Sequence, residues 1–289
     1  MKQITVLSGK GGTGKTTLVA SLAALTKRIV VTDCDVDAPN LHLLLKPEVI
    51  QTQDFGGSNK AVIDEIKCIK CGKCEESCRF DAIKDVIVDL VLCESCGVCT
   101  YVCPVEAIRL KENLSGHAFI SKIVYGLMSH ARLNPGEENS GKLVTLVRQN
   151  ARKIAEKEDY ELILNDGPPG IGCPVIASIS GVDAGLIVIE PTLSGIHDME
   201  RVLSLLKHFQ VLPLVCINKY DIDQENTRRI SEFCKSNSVE MVGKVPFDSL
   251  VTKAMVAGKS VVEYCSKSTV SKSIEELWKQ TLEHLKKKS

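Results

Sequence analysis

The sequence lacks three things. It has no net charge, since 36 Lys and Arg balance 36 Asp and Glu. A neutral total carries no bulk attraction for a polyanion, so no nucleic-acid partner is expected. It has no apolar run near the roughly 20 residues that a membrane-spanning helix needs, and the one at its amino terminus is too short for an export-signal core. A cytoplasmic protein is therefore expected. It also has no repeat of solenoid period. What remains, 289 residues with 44% hydrophobic side chains, has the composition of a folded protein: one large domain, or one with a smaller companion. The excess lies in cysteine, thirteen in all, eight of them between Cys68 and Cys103. In a reducing compartment, clustered thiols in an odd total read as metal ligands rather than disulfides.

Short continuous apolar runs at Ile4–Leu7, Ile29–Val31, Leu162–Leu164, Leu186–Ile189, Leu214–Ile217 and Met241–Val245 predict buried strands. Continuity without alternation is the pattern of parallel strands covered on both faces. Helical spacing separates most of them, as in Leu18, Leu22 and Leu25, or Met199, Leu203, Leu206 and Phe209. The fold class is α/β, with a mostly parallel sheet and helices on both faces. The alternation stops after Leu45 and resumes near Gly141. Between them lie a polar linker at 51–59, the cysteine block, and a stretch of extended chain from Gly116 to Leu133. The expected organisation is an α/β domain built from residues 1–58 and 113–289, carrying a small α+β, ferredoxin-like insert at 59–112. An insert of that size seldom folds on a hydrophobic core alone, and a metal centre makes up the difference.

Directly after the first strand stands Gly9-Lys10-Gly11-Gly12-Thr13-Gly14-Lys15-Thr16-Thr17, followed by the Leu18 helix. Strand, glycine loop and helix in this order form a phosphate cradle. Glycines let backbone amides turn inward, and the helix amino end adds its dipole. Lys15 would reach the β- and γ-phosphates, and Thr16 would ligand Mg2+. Two acidic strand ends complete the site. Asp35, within Asp33-Cys34-Asp35, is placed to orient or deprotonate an attacking water, and Asp166, opening Asp166-Gly167-Pro168-Pro169-Gly170, to hold the Mg2+ shell through water.

These motifs together resemble the deviant Walker A ATPases of the MinD, ParA and Mrp type, more distantly the nitrogenase iron protein. The resemblance covers the chain outside the insert. It implies that Lys10 reaches the nucleotide of a second protomer, that ATP drives a homodimer which hydrolysis to ADP releases, and that Gly170 senses the γ-phosphate. It also implies that Asn218 contacts adenine, with the loop Pro246-Phe247-Asp248 over the base. Asn218-Lys219-Tyr220-Asp221 also matches the guanine-reading NKxD pattern. The phosphate loop is the more specific signal and favours ATP.

Cys68, Cys71, Cys74 and Cys78 are spaced C-x2-C-x2-C-x3-C, and so are Cys93, Cys96, Cys99 and Cys103. This doubled run is the pattern of bacterial two-cluster ferredoxins, in which each fourth cysteine serves the other cluster. Two 4Fe-4S clusters are expected, one on Cys68, Cys71, Cys74 and Cys103, the other on Cys78, Cys93, Cys96 and Cys99. Zinc is the weaker alternative, because its sites do not need this interleaving. Arg79 stands where the second run has Pro104. Cys173, seven residues after Asp166, is expected to be a small packed residue rather than a bridging ligand, for no cysteine occurs around Ala131 to Gly141. Cys216 is expected in the core. The last helix, with Ile274, Leu277, Trp278, Thr281 and Leu285, is expected to pack on the sheet, its dipole complemented by Lys286 to Lys288, rather than to bind a membrane.

The reading is an ATP-hydrolysing iron-sulfur protein, a nucleotide-dependent dimer that gates electron transfer to a redox partner. Its alternatives are an ATPase of metallocofactor maturation or delivery, and a positioning ATPase.

Overall fold

Hydrophobic side chains on successive strand residues point to opposite faces, so a fully apolar strand needs cover on both. A computed structural model of the chain, describing residues 1–137 and 140–287, meets that need. The chain begins with β1 (Lys2–Ser8), α1 (Lys15–Ala24), β2 (Ile29–Asp33) and the short α2 (His42–Leu45). Then come β3 (Glu48–Ile63), α3 (Lys73–Glu76), β4 (Ile83–Lys84), β5 (Ile87–Val88), α4 (Val98–Val102), β6 (Ile108–Ile123) and β7 (Gly126–Leu133). Strict alternation follows: α5 (Ser140–Lys157), β8 (Leu162–Pro169), α6 (Cys173–Ile179), β9 (Ala184–Ile189), α7 (Leu193–His208), β10 (Leu212–Asn218), α8 (Gln224–Ser236) and β11 (Glu240–Val245). Helices α9 (Ser249–Val256), α10 (Val261–Tyr264) and α11 (Thr269–Lys287) complete the described chain.

The main sheet has nine strands in the order β11-β10-β9-β1-β8-β2-β7-β6-β3. β1 pairs in parallel with β8 and β9, β10 with β9 and β11, and β2 with β8 and β7. Every apolar run named above is one of these strands. The two-sided burial is visible along β1 and β9. Val6, Leu186 and Val188 join α1 and α11 in one core, while Leu7, Ile187 and Ile189 join α6, α7 and α8 in another. The stripe of α11 is buried, with Trp278 Nε1 donating to Thr26 Oγ1 at 3.0 Å. Lys286 and Lys287 stand in its last turn, and Lys288 lies outside the described residues. Among the described residues no helix is long and apolar enough to cross a membrane.

Two compact units emerge. The first comprises Met1–Thr52, Ala118–Arg132 and Ser140–Ser289, the second Gln53–His117 with Leu133–Asn139. The supposed linker at 51–59 is instead within the strand β3, at one end of the sheet order. Every side chain from Glu48 to Asp54 is exposed, so the segment carries no apolar rhythm; the backbone makes the strand there, and side-chain pattern cannot reveal it.

Removal of buried methyl groups from the central strand β8 will test this core. Leu164→Ala should lower unfolding free energy by about 2–5 kcal/mol in urea titrations, whereas Ile50→Ala, exposed on β3, should change it by less than about 0.5 kcal/mol.

Candidate nucleotide site and cysteine cavities

Parallel strands bring their carboxyl ends to one side, and a cleft of about 560 Å³ opens there in the first unit. Gly12 and Gly14 take φ of 82° and 86°, a left-handed turn that side chains with a Cβ resist. Gly14 caps α1 with no side-chain hydrogen bond, which leaves the first amides of the helix open to an anion. Gly11, Gly12, Thr13, Gly14, Lys15, Thr16 and Thr17 all line the cleft. Among the described residues buried Thr13 Oγ1 has no hydrogen-bond partner, the condition of a donor awaiting a phosphate oxygen.

Lys15 is 7% exposed, and its Nζ lies 2.6 Å from Asp166 Oδ1. Burial opposes its charge, but Asp166, Asp33 and Asp35 outweigh that, and its pKa lies above the ordinary lysine value. For Asp33 the balance disfavours the charged form. Burial, then the charge of Asp166, pushes Asp33 up to about 8, although Lys15 and two backbone amides counteract. Those amides, of Asp35 and Leu41, donate to Asp33 Oδ1 and Oδ2 at 3.1 and 3.2 Å, so Asp33 pins the segment after β2. Its structural role is a finding; sequence reasoning assigns roles to Asp35 and Asp166, and only its place in the Asp-x-Asp pattern could single it out. Asp35 lines the cleft, with its pKa raised chiefly by burial. Asp166 sits behind Lys15, 1% exposed.

A buried polar relay ties these strand ends together. Thr32 Oγ1 donates to Asn165 Oδ1 at 2.8 Å, Asn165 Nδ2 to Thr5 Oγ1 at 3.1 Å, and Thr5 Oγ1 to the Ser178 carbonyl at 2.7 Å. Gly167 belongs to the same register, since a Cβ there would stand 2.7 Å from the Val6 carbonyl oxygen.

At the base end, Asn218 Nδ2 donates to the Thr13 carbonyl at 2.7 Å, fastening β10 to the phosphate loop. Asp221 Oδ1 accepts from the Phe247 amide at 2.7 Å, so this carboxylate holds the loop rather than facing a base. Phe247 and Asp248 line the cleft, and Asp248 also caps α9 by accepting from the Leu250 amide at 2.9 Å. Pro246 is not among the lining residues. Nor are Gly170, at φ 88° with its amide on the Ser8 carbonyl, and Lys10. Lys10 Nζ lies 3.3 Å from Ser194 Oγ, 3.4 Å from Thr192 Oγ1 and 3.9 Å from Glu190 Oε2.

The second unit contains two smaller cavities. Cys68, Cys71, Cys74 and Cys103 line one; Cys78, Cys93, Cys96 and Cys99 line the other. The halves repeat at an offset of 25 residues, Cys68 to Cys93, in backbone as well as sequence. Asp64 caps the Ile66 and Lys67 amides as Asp89 caps those of Val91 and Leu92. The Asp64 amide bonds the Ala107 carbonyl and the Asp89 amide the Ala82 carbonyl, both at 2.7 Å. Gly72 and Gly97 take φ of 76° and 75°. Amides of Ala82 and Ala107 point at Cys78 and Cys103 Sγ, at 3.4 and 3.2 Å. None of the thirteen cysteines is in a disulfide, and among the described residues no group of three or more His, Cys, Asp or Glu is placed to hold a metal ion.

Of the remaining cysteines, Cys34, Cys216 and Cys234 are buried. Burial pushes the Cys34 thiol up to about 12. Cys173 is exposed, which corrects the expectation of a packed residue: it begins α6 on the outer side of a first turn whose Val175 faces the core. Residues 138 and 139, in the segment where a partner thiol would be sought, lie outside the described residues.

The raised Asp33 pKa has a signed consequence. The folded state keeps a proton that the unfolded chain releases near pH 4, so stability without nucleotide falls as pH rises towards 8. Asp33→Asn should flatten that slope, by at most about 1.4 kcal/mol per pH unit, in denaturation series across the window. Asn218→Ala should weaken ATP binding at least about tenfold, the effect of losing roughly 1.4 kcal/mol, as measured by calorimetry.

The chain matches the CobQ/CobB/MinD/ParA nucleotide binding domain over residues 4–261. It is 35% identical to an uncharacterised protein of Methanocaldococcus jannaschii, covering 98% of this chain and 97% of that one. It is 23% identical to the septum site-determining protein MinD of Bacillus subtilis, over 89% and 81% of the two chains. The solved structure of the Pyrococcus furiosus cell division ATPase MinD superposes with a TM-score of 0.60 at 17% identity, over 98% and 99% of the two chains. Strand order, phosphate loop and family match agree, and the chain belongs to the CobQ/CobB/MinD/ParA nucleotide-binding family, with the α/β fold of the MinD/ParA-type P-loop ATPases.

Proposed function

We propose that this chain is an iron-sulfur ATPase in which nucleotide state, through an ATP-dependent homodimer, gates electron transfer between two 4Fe-4S clusters and a redox partner. The observation that carries the reading is the division of eight cysteines between two cavities, four to each, in the interleaved sets of a two-cluster ferredoxin. The donor set fits. Four soft thiols line each cavity, a donor set that suits a cubane. Amides directed at sulfur and bare glycine backbone between the ligands suit an anionic cluster. Cys68, Cys71, Cys74 and Cys103 would hold one cluster, and Cys78, Cys93, Cys96 and Cys99 the other. Each would supply one-electron redox chemistry. In this reading the insert is the segment 59–112 and the ATPase domain is formed by 1–58 with 113–289.

For hydrolysis, the loop amides and Thr13 Oγ1 orient the triphosphate, and Thr16, which lines the cleft, would hold Mg2+, whose charge would offset that of the phosphates. Lys15 exchanges Asp166 for phosphate oxygens, and Asp166, so released, would help to hold Mg2+ through water. Asp35 accepts a proton from the attacking water as the bond between the γ-phosphorus and the bridging oxygen breaks. Lys10 leaves Glu190, Thr192 and Ser194 for the nucleotide of a second protomer, Gly170 senses the γ-phosphate, and Asn218 and the loop 246–248 bound the adenine. Asp33 holds the amides of Asp35 and Leu41, so a change in its protonation or in Lys15 reaches the chain just before β3.

A second reading, a positioning ATPase, draws on the names of relatives such as MinD. The family match supports this reading, although the stripe of α11 is buried in the sheet core and does not offer that face to a membrane.

Anaerobic reconstitution followed by EPR of the reduced protein, mixed with candidate acceptors in MgATP or MgADP, separates them. Retained iron and sulfide with faster oxidation in MgATP is expected, and Lys10→Ala and Lys15→Ala should abolish the difference. Clusters released intact to an apo-acceptor would indicate delivery instead. Absence of bound iron together with ATP-dependent sedimentation on liposomes would establish the positioning reading in its place.

A further inference from the structure

The two halves of the cysteine unit match in loop, cap and backbone, so a charged side chain present in only one of them stands out. Lys60, near the end of β3, is such a residue. It is 7% exposed, and its Nζ donates to the carbonyl of Cys93 at 2.9 Å. Among the described residues no carboxylate forms an ion pair with it, so a buried ammonium is partnered by a neutral oxygen alone. Burying an unpaired charge is costly. Nothing in the fold demands one here, because the adjacent Ser95 hydroxyl, donating to the Asn59 carbonyl, already fastens the same loop to the same strand. Advancing the repeat by 25 residues puts Asp85, exposed and of opposite charge, at the position equivalent to Lys60.

The first half carries its positive charge elsewhere. Lys67, Lys70 and Lys73 flank Cys68, Cys71 and Cys74, and all three are exposed. Their counterparts in the second half are Leu92, Ser95 and Val98, without charge, and among the described residues Glu94 is the one ionisable side chain other than cysteine that lines the second cavity. Exposed ammonium groups are screened by water and salt, whereas a buried one acts through a medium of lower dielectric. The second set has its own exposed cation, Arg79, beside Cys78, but Lys60 is the buried one, against the carbonyl of one of that set's ligands.

We propose that Lys60 is the internal counter-charge of the cluster held by Cys78, Cys93, Cys96 and Cys99, and that it raises that cluster's reduction potential while leaving the other cluster's unchanged. The inference rests on the iron-sulfur reading above. Reduction adds one electron to a centre already anionic, and a fixed positive charge nearby favours the reduced state. Lys60 is a positioning residue in this account: it does not ligate iron, and it acts through the field at the sulfur atoms.

The test is an anaerobic redox titration of the reconstituted full-length protein, followed by EPR, with three variants. Wild-type protein should bind iron and sulfide for two clusters and titrate in two waves. Cys96→Ala, or Cys71→Ala for the complementary set should the first not fold, assigns each wave to its cysteines. In Lys60→Met the wave that depends on Cys96 should move to lower potential. Poised at the wild-type midpoint, its oxidised-to-reduced ratio should rise from 1 to about 10, which is about 59 mV for a one-electron couple. Lys60→Gln keeps a donor for the Cys93 carbonyl but not the charge, and should move the same wave in the same direction. In 1 M salt, where exposed charges are screened over about 3 Å, the shift should persist. A Lys60→Gln protein that titrates like wild type would reduce Lys60 to a structural clamp and overturn the proposal. So would equal movement of both waves. Wild-type protein without clusters would instead overturn the iron-sulfur reading, and the inference with it, a result distinct from two unshifted waves.

Discussion

One lysine among three aspartates is the constraint on which the nucleotide site depends. β1, β2 and β8 run parallel, and their carboxyl ends deliver Lys15, Asp33, Asp35 and Asp166 to a space mostly closed to water. The Lys15 to Asp166 pair, at 2.6 Å, compensates only a fraction of the negative charge. Asp33 responds by holding its proton, and the surplus is the electrostatic gap that a divalent cation and a polyphosphate would together fill. The polar relay from Thr32 through Asn165 and Thr5 to Ser178 keeps the strand ends in register while the charges rearrange.

The same physical economy governs the cysteine unit, with sulfur in place of carboxylate. Its loops are short, several large apolar side chains, Ile66, Val91 and Tyr101 among them, are exposed, and its regular elements run to only a few residues in α3, α4, β4 and β5. In the proposed reading, bonds to the clusters would contribute a large share of the folding free energy of a unit with so small an apolar interior. The backbone is nonetheless already shaped by Asp64 and Asp89, which cap the turns that open each cysteine run. The repeat is thus written twice, in cysteine spacing and in the aspartates that bend the chain to suit it.

Much of this was legible in the linear sequence. The strands buried on both sides announce themselves as unbroken apolar runs, because parallel pairing leaves no face for polar residues. The phosphate loop is equally plain, since backbone can approach phosphate only where Gly12 and Gly14 permit the turn. The edge-side half of the sheet was not legible in the same way. β3 is exposed over its first seven residues, Glu48 to Asp54, and reads as a polar linker because strand pairing by the backbone leaves no trace in side-chain chemistry. Nor could spacing alone separate the roles of Asp33 and Asp35, two residues apart in one motif: burial makes the first an anchor, and partial exposure places the second at the cleft.

Residue order by itself determined the chemistry on offer: a glycine loop with its lysines, acidic strand ends, and eight thiols at repeated intervals. These are local properties, set by which atoms a short segment presents. Tertiary structure decided which of them meet. It set Asp166 behind Lys15, turned Asp221 from a base-reading candidate into a loop anchor, fastened Asn218 to the phosphate loop, and left Cys173 exposed. It also buried Lys60 against Cys93, 33 residues away along the chain. Such outcomes depend on dielectric and distance between segments remote in sequence, and only the packed chain defines either quantity.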